Sequence, residues 1–64
     1  MRIDKRKVEL IRARNQISVS DLKRKGVSQG NLNSLYNNRS MLPETVGKIA
    51  KALGVDVKDI VQID

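Results

Sequence analysis

The sequence predicts an all-α domain of five short helices, of which the second and third form a helix-turn-helix. Two observations support this fold class. Apolar residues recur three and four positions apart along most of the chain, which is the spacing of one buried helix face. The run Gly26-Val27-Ser28 places a glycine where one helix stops and a serine where the next begins. A corner of this kind between two short helices is typical of a helix-turn-helix.

The predicted helices cover about residues 4–14, 19–25, 28–37, 43–53 and 56–62, within one domain at 1–64. Asp4 is a suitable N-cap for the first helix, and Val8 and Ile11 lie three apart on its apolar side. Ser18 and Asp21 have the spacing of a capping box at the start of the second helix, although aspartate replaces the more usual glutamate. Both helices therefore have a local start signal.

The third helix is rich in polar residues that do not favour helices. Ser28 is its predicted N-cap, and Leu32 and Leu35 form its apolar side. Its other residues are mostly glycine and asparagine, which cost up to ~1 kcal/mol each relative to alanine. Asparagine and glutamine can donate and accept at once, and they read adenine in the major groove of DNA. The helix is therefore a candidate reading element, the alternative being an ordinary polar surface helix.

The fourth and fifth helices are predicted from their ends. Asn38 is the predicted left-handed residue after the third helix, Pro43 opens the fourth and Gly54 ends it. The buried stripe of the fourth helix is Val46, Ile49, Ala50 and Leu53. Asp56 and Asp59 resemble a capping box for the fifth. This helix has more apolar residues than one helix face can bury. They predict either a dimer interface or the closing of a monomer core, and they are Val57, Ile60, Val61 and Ile63.

Positive charge is concentrated in the first two thirds of the chain. The sequence holds 13 Lys+Arg and 7 Asp+Glu, a net charge of +6. Residues 1–40 hold ten basic and three acidic side chains, whereas residues 41–64 hold three and four. This asymmetry is expected of a nucleic-acid-binding protein, although lysine-rich surfaces also serve solubility.

Composition excludes several classes of function. The chain has no histidine and no cysteine, so neither disulfides nor the usual zinc sites are expected, and no metal or cofactor is predicted. A base-stacking platform is excluded because the chain has only one aromatic residue, Tyr36. No apolar run is long enough for a membrane span or a signal core, which predicts a cytoplasmic protein. No catalytic constellation is present, so neither an enzyme nor a small-molecule substrate is predicted.

The chain resembles the Cro and phage-repressor type (XRE-like) helix-turn-helix family over nearly its whole length. The motifs that carry the resemblance are Val8…Ile11-Arg12, Asp21-Leu22…Gly26-Val27-Ser28, Leu32…Leu35 and residues 45–55, which read TVGKIAKALGV. The resemblance implies a compact five-helix, lambda-repressor-like domain whose third helix enters the major groove of double-stranded DNA.

The resemblance also implies which residues meet DNA. Base-reading residues fall on Gln29, Gly30, Asn31, Asn33 and Ser34. Phosphate contacts fall on Ser18, Ser20, Asn37, Asn38 and Arg39. The basic run ending helix two adds Lys23, whose alternative role is to interact with the helix dipole. Where the family commonly has a glutamate near the end of helix three, this chain has Tyr36. The pairing of that glutamate with Arg12 is therefore expected to be absent, which leaves Arg12 freer to face a phosphate.

These observations predict sequence-specific DNA binding by a small transcriptional regulator of phage, plasmid or prophage type. Since one helix reads only a few base pairs, a homodimer on a palindromic operator is expected. The alternative is a protein-interaction module on the same fold, such as an antitoxin or an anti-repressor.

Overall fold

The computed structural model describes residues 1–62, and it is helical as predicted. Within these residues the elements are α1 (Lys5–Asn15), α2 (Val19–Arg24), α3 (Gln29–Tyr36), α4 (Pro43–Leu53) and a 3-10 turn (Val57–Asp59). The first four agree with the predicted helices to within one residue at each end. None of the described helices is both long and apolar enough to span a membrane.

Side-chain caps start the first three helices at the predicted residues. The Asp4 carboxylate accepts a hydrogen bond from the backbone N–H of Arg6 (2.9 Å). Ser18 and Asp21 form the complete capping box, with bonds of 3.0 and 2.9 Å in the two directions. The Ser28 hydroxyl accepts from the backbone N–H of Asn31 (3.1 Å). The predicted caps are confirmed, because each depends only on residues within one turn.

The corner between α2 and α3 has the predicted structure. Gly26 has φ +99°, a conformation that favours glycine. The backbone N–H of Val27 donates to the carbonyl of Leu22 (3.0 Å), and the Val27 side chain is buried between the helices. The helix-turn-helix is thus held by a left-handed glycine and by an apolar side chain in the angle.

A single apolar core joins all the elements. Its buried residues are Ile3, Val8, Leu22, Val27, Leu32, Leu35, Val46, Ile49, Ala50, Ala52, Leu53 and Ile60. The predicted stripe of α4 lies entirely within this set. Among the described residues no polar side chain is buried, so aliphatic packing fixes the angles between helices.

The prediction of a fifth helix over residues 56–62 is wrong. Asp56 and Asp59 do form a capping box, but it starts only the 3-10 turn. The residues that follow run beside the N-terminal segment, with a bridge between Ile3 and Val61. The Ile60 carbonyl accepts from the backbone N–H of Asp4 (2.7 Å). Pairing between distant parts of the chain replaces the helix, because it buries both Ile3 and Ile60.

This arrangement also corrects the predicted dimer surface. Ile60 is fully buried in the core of its own chain and presents nothing to a partner. Val57 and Val61 are half-buried and pack against the same core. Ile63 lies outside the described residues. Ile60 therefore closes the core of its own chain, which was the alternative left open by the sequence.

Two glycines of α4 provide a matched test of the fold. Gly54 ends the helix with φ +75°, whereas Gly47 lies inside the helix. We expect Gly54→Ala to lower the free energy of unfolding by about 1 kcal/mol, because the left-handed conformation is strained for alanine. Gly47→Ala should raise it by up to about 1 kcal/mol, because a Cβ there meets no atom within 4 Å. Urea unfolding followed by circular dichroism measures both; changes of the same sign would contradict this account.

Candidate nucleic-acid interface

The outer face of α3 carries the predicted base-reading residues. Leu32 and Leu35 face the core and are almost fully buried. On the other side Gln29, Gly30 and Asn33 are exposed. Asn31 and Ser34, at the edges of this face, are half-buried. The helix therefore presents amide groups outward while its leucines fix it to the core.

Gln29 and Asn33 interact with each other on this face. The Gln29 Nε2 donates to the Asn33 Oδ1 (3.0 Å), as residues four apart on a helix can. The bond uses one of the two Gln29 N–H groups and leaves the Oε1 available, so Gln29 can still donate and accept. The sequence interpretation treated the two residues separately. Their spacing of four residues could have identified the pair.

Gly30 is not required by the fold. It lies in the first turn of α3, its φ is not left-handed, and an added Cβ would meet only the Ser28 hydroxyl, at 3.8 Å. Glycine at such a position weakens a helix by roughly 0.5–1 kcal/mol relative to alanine. Because Gly30 has no side chain and is exposed, it leaves backbone accessible beside Gln29.

The predicted phosphate-contacting residues of α2 lie at its two ends. Ser18 and Ser20 are exposed at the start, and Lys23 is exposed in the last turn. The Ser18 hydroxyl oxygen accepts the capping bond from the backbone N–H of Asp21. The bonds from Ser18, led by its backbone N–H, hold the pKa of Asp21 below its usual range, because they stabilise the charged carboxylate.

The loop after α3 is exposed and partly fixed. Asn38 has φ +56° and so adopts the predicted left-handed conformation, one residue beyond the C-cap Asn37. The Asn38 Oδ1 accepts from the Gln62 Nε2 (2.7 Å), and this bond does not use the two N–H donors of the Asn38 amide. Arg39 is exposed, and its backbone N–H donates to the Ser34 carbonyl (2.9 Å). The sequence interpretation did not identify Gln62.

The absence of a glutamate near the end of α3 does not leave Arg12 without an acidic partner. The Arg12 Nη1 contacts the Glu9 carboxylate (3.0 Å) and the Tyr36 hydroxyl (2.9 Å). Its Nε donates to the Ile17 carbonyl (3.0 Å), and only 21% of its side chain is exposed. The acid comes from α1 itself, three residues before Arg12. Held by three partners, Arg12 is a link between elements rather than a cation free to face a phosphate.

Tyr36 completes a link between α1 and the end of α3. Its hydroxyl donates to the Glu9 carboxylate (2.5 Å), which also receives Arg12. The hydrogen bond from Tyr36 is the main cause that holds the pKa of Glu9 below its ordinary value. Partial burial, together with the bond to Glu9, raises the pKa of the Tyr36 hydroxyl. The charged carboxylate and the neutral phenol are thus the forms that this link stabilises.

We expect Tyr36→Phe to lower the free energy of unfolding by about 1 kcal/mol, the usual value of one such hydrogen bond. The loss should depend on pH. Because the Glu9 pKa is lowered in the folded state, its contribution is present above the unfolded pKa of ~4.3 and is lost as pH falls through the folded value. Urea unfolding between pH 7 and pH 3 should therefore show a smaller loss on acidification for Tyr36→Phe than for wild type. Equal losses would contradict the link.

Comparison with known protein families identifies the matched domain type. A family model described as Cro/C1-type HTH (helix-turn-helix) DNA-binding domain matches residues 7–64. The matched range includes α2, α3, α4 and nearly all of α1. Neither the curated proteins nor the solved structures contain a significant match.

Proposed function

The chain belongs to the Cro/C1-type family of helix-turn-helix DNA-binding domains, and from this premise we propose that it is a sequence-specific transcriptional regulator of phage, plasmid or prophage type. The observation that carries the proposal is the exposed amide face of α3, held rigidly by two buried leucines. Side chains that donate and accept are what base edges in the major groove require.

In this proposal α3 lies in the major groove and reads bases. Gln29, oriented by Asn33, forms a bidentate pair with an adenine, accepting from N6 and donating to N7. Gly30 allows the start of α3 to approach the DNA closely. Asn31 and Ser34, half-buried at the edges of the face, contact neighbouring bases. Discrimination between bases then rests on hydrogen bonds and not on stacking. The chain's only aromatic side chain, Tyr36, is hydrogen-bonded to Glu9.

Residues on both sides of α3 are proposed to hold the DNA backbone. The hydroxyls of Ser18 and Ser20 lie before α3 in the chain, with Lys23 nearby on α2. Asn37, Asn38 and Arg39 lie after it: two amides and one guanidinium on an exposed loop. Contacts of this kind position the protein without reading sequence. Arg12 is not among them, because Glu9, Tyr36 and Ile17 already engage its guanidinium.

We propose that two copies bind one palindromic operator. A single α3 spans eight residues and reaches only a few base pairs, too few for a specific site. Sedimentation of the protein with a palindromic duplex should give two chains per DNA. A complex of one chain per DNA at saturation would contradict the dimer.

DNA binding itself is tested by fluorescence anisotropy with a labelled mixed-sequence duplex. We expect the wild-type protein to bind, and the affinity to fall steeply between 50 and 200 mM salt, because released counterions drive the binding. Arg39→Gln should reduce the slope of log affinity against log salt by about 1, the effect of one lost phosphate contact. Absence of binding at the lowest salt would contradict the proposed function.

The alternative, a protein-interaction module such as an antitoxin or an anti-repressor, has one observation in its favour. Leu10 is 64% exposed and lines a shallow groove together with Tyr36. Lys5 and Arg6 also line this groove, with Glu9 as the one acid, so a mainly acidic protein segment would suit it. The DNA titration separates the two functions, since this alternative predicts no salt-dependent binding to DNA.

A further inference from the structure

We propose that Arg2, Lys5 and Arg6 form a second group of phosphate contacts, adjoining the loop after α3 and holding the same DNA backbone. This inference rests on the proposed function and extends it to the N-terminal segment. These three residues, which neither the sequence interpretation nor the family resemblance assigned to DNA, are called the N-terminal basic patch below.

The segment that carries the patch is fixed to the body of the domain. The carbonyl of Met1 accepts from the backbone N–H of Met41 (2.6 Å), in the connection between α3 and α4. On its other side the carbonyl of Arg2 accepts from the backbone N–H of Gln62 (2.9 Å). Bonded on both sides, and with Ile3 buried beneath it, the backbone of the segment is fixed relative to the rest of the domain.

The patch and the loop after α3 share their surface grooves. Lys5 and Arg6 line a groove of about 220 Å³ together with Asp4, Asn38 and Gln62. Arg2 lines a second groove, of about 340 Å³, together with Ser40. The two grooves therefore place the patch on both flanks of the stretch that contains Arg39, which the proposed function assigns to the DNA backbone.

The charges of the patch are available to a ligand. Arg2, Lys5 and Arg6 are exposed, and the ion pairs of residues 1–62 involve other arginines, Arg12 and Arg24. The Asp4 carboxylate lines the same groove as Lys5 and Arg6 and accepts the capping bond of α1, so the three cations of the patch exceed the one acid beside them. Lys7 provides a contrast on the same helix, because it is half-buried and its ammonium donates to the carbonyl of Val61 (3.3 Å).

The chemistry of the patch suits phosphodiester groups. Arginine offers a planar fork of donors that binds a phosphate bidentately, and Lys5 adds a point charge between the two arginines in sequence. In the proposed complex, a DNA strand held by Arg39 and Asn38 continues past the N-terminal basic patch. The next phosphates of that strand are therefore the anions nearest to the patch. The patch therefore adds affinity without adding sequence preference.

The test compares two double variants that remove equal charge. Arg2→Gln/Arg6→Gln disables the patch, and Lys48→Gln/Lys51→Gln removes two exposed lysines of α4 that line a different groove, with Lys25. Glutamine has nearly the helix propensity of both residues, so the folds should be preserved. Anisotropy with the labelled mixed-sequence duplex is measured over 50–200 mM salt. We expect the patch variant to bind more weakly at low salt and to lose about 2 from the salt slope, so that its affinity falls roughly 10-fold less than that of wild type between 50 and 200 mM salt, whereas the α4 variant keeps the wild-type slope.

Each outcome bears on the inference. Equal slopes for the patch variant and wild type would overturn it, and so would equal losses in both double variants, which would show an effect of net charge alone. If Arg39→Gln lowers the slope and the patch variant does not, the proposed function stands and only the inference fails. A wild-type protein that does not bind DNA overturns both. Hydroxyl-radical footprinting provides the second measurement: the patch variant should lose protection only at the edge of the site.

Discussion

Leu35→Ala is expected to lower the free energy of unfolding by about 2–5 kcal/mol and to abolish DNA binding at 37 °C. Leu35 is 1% exposed and joins α3 to the core, so its truncation removes apolar contacts and leaves a cavity. A domain of 64 residues has a total stability of roughly 3–10 kcal/mol. The loss is therefore a large part of the total, and urea unfolding at 25 °C should show a clearly lower midpoint.

Leu10→Ala is the matched control, since it makes the same chemical change on an exposed position. Leu10 is 64% exposed on α1, and its truncation should change the free energy of unfolding by no more than about 0.5 kcal/mol. DNA binding should also be retained. Similar losses of stability in the two variants would show that α3 is not held by its buried face.

The large effect at Leu35 follows from the composition of α3. The helix has eight residues, and half of its sequence is glycine, asparagine or serine. A helix this short is marginal in water even with favourable residues. Its conformation in the domain therefore depends on the Ser28 cap and on the packing of Leu32 and Leu35. The same polar residues that weaken the helix are the ones that the proposed function uses on DNA.

Features decided within one turn of helix were predictable from the sequence. The caps at Asp4, Ser18 and Ser28 and the left-handed Gly54 involve only near neighbours, and all four are present as predicted. The fifth helix was not predictable in this way. Its capping box is real, but whether residues 60–62 continue as helix was decided by the N-terminal segment, about 57 positions away.

The candidate site shows the same division. Its amide face could be predicted, because Leu32 and Leu35 fix which side of α3 turns outward. The partners of Arg12 depend on how α1 packs against the end of α3. The resemblance to the family pointed to a missing glutamate partner near the end of α3, whereas in the structure Glu9 and Tyr36 contact Arg12. A local signal existed, since Glu9 lies three residues before Arg12 and can pair with it on one helix face.

Gln29→Ala and Arg39→Ala are expected to weaken DNA binding in different ways. A bidentate pair between glutamine and adenine contributes about 1–3 kcal/mol of discrimination, so Gln29→Ala should lose roughly 5- to 150-fold in affinity for the preferred operator. It should lose little on operators already changed at the base that Gln29 reads. Arg39→Ala should weaken all operators by a similar factor, because a phosphate contact does not depend on sequence.

The measurement is a panel of operator variants, obtained by selecting preferred sites with the wild-type protein and then changing each base pair in turn. Asn33→Ala provides a graded control, since it removes the hydrogen bond that orients the Gln29 amide but leaves the amide itself. It should reduce discrimination at the same base pair by less than Gln29→Ala does. If Gln29→Ala instead lowers affinity equally across the panel, its side chain holds the backbone, and the amide face of α3 does not read bases.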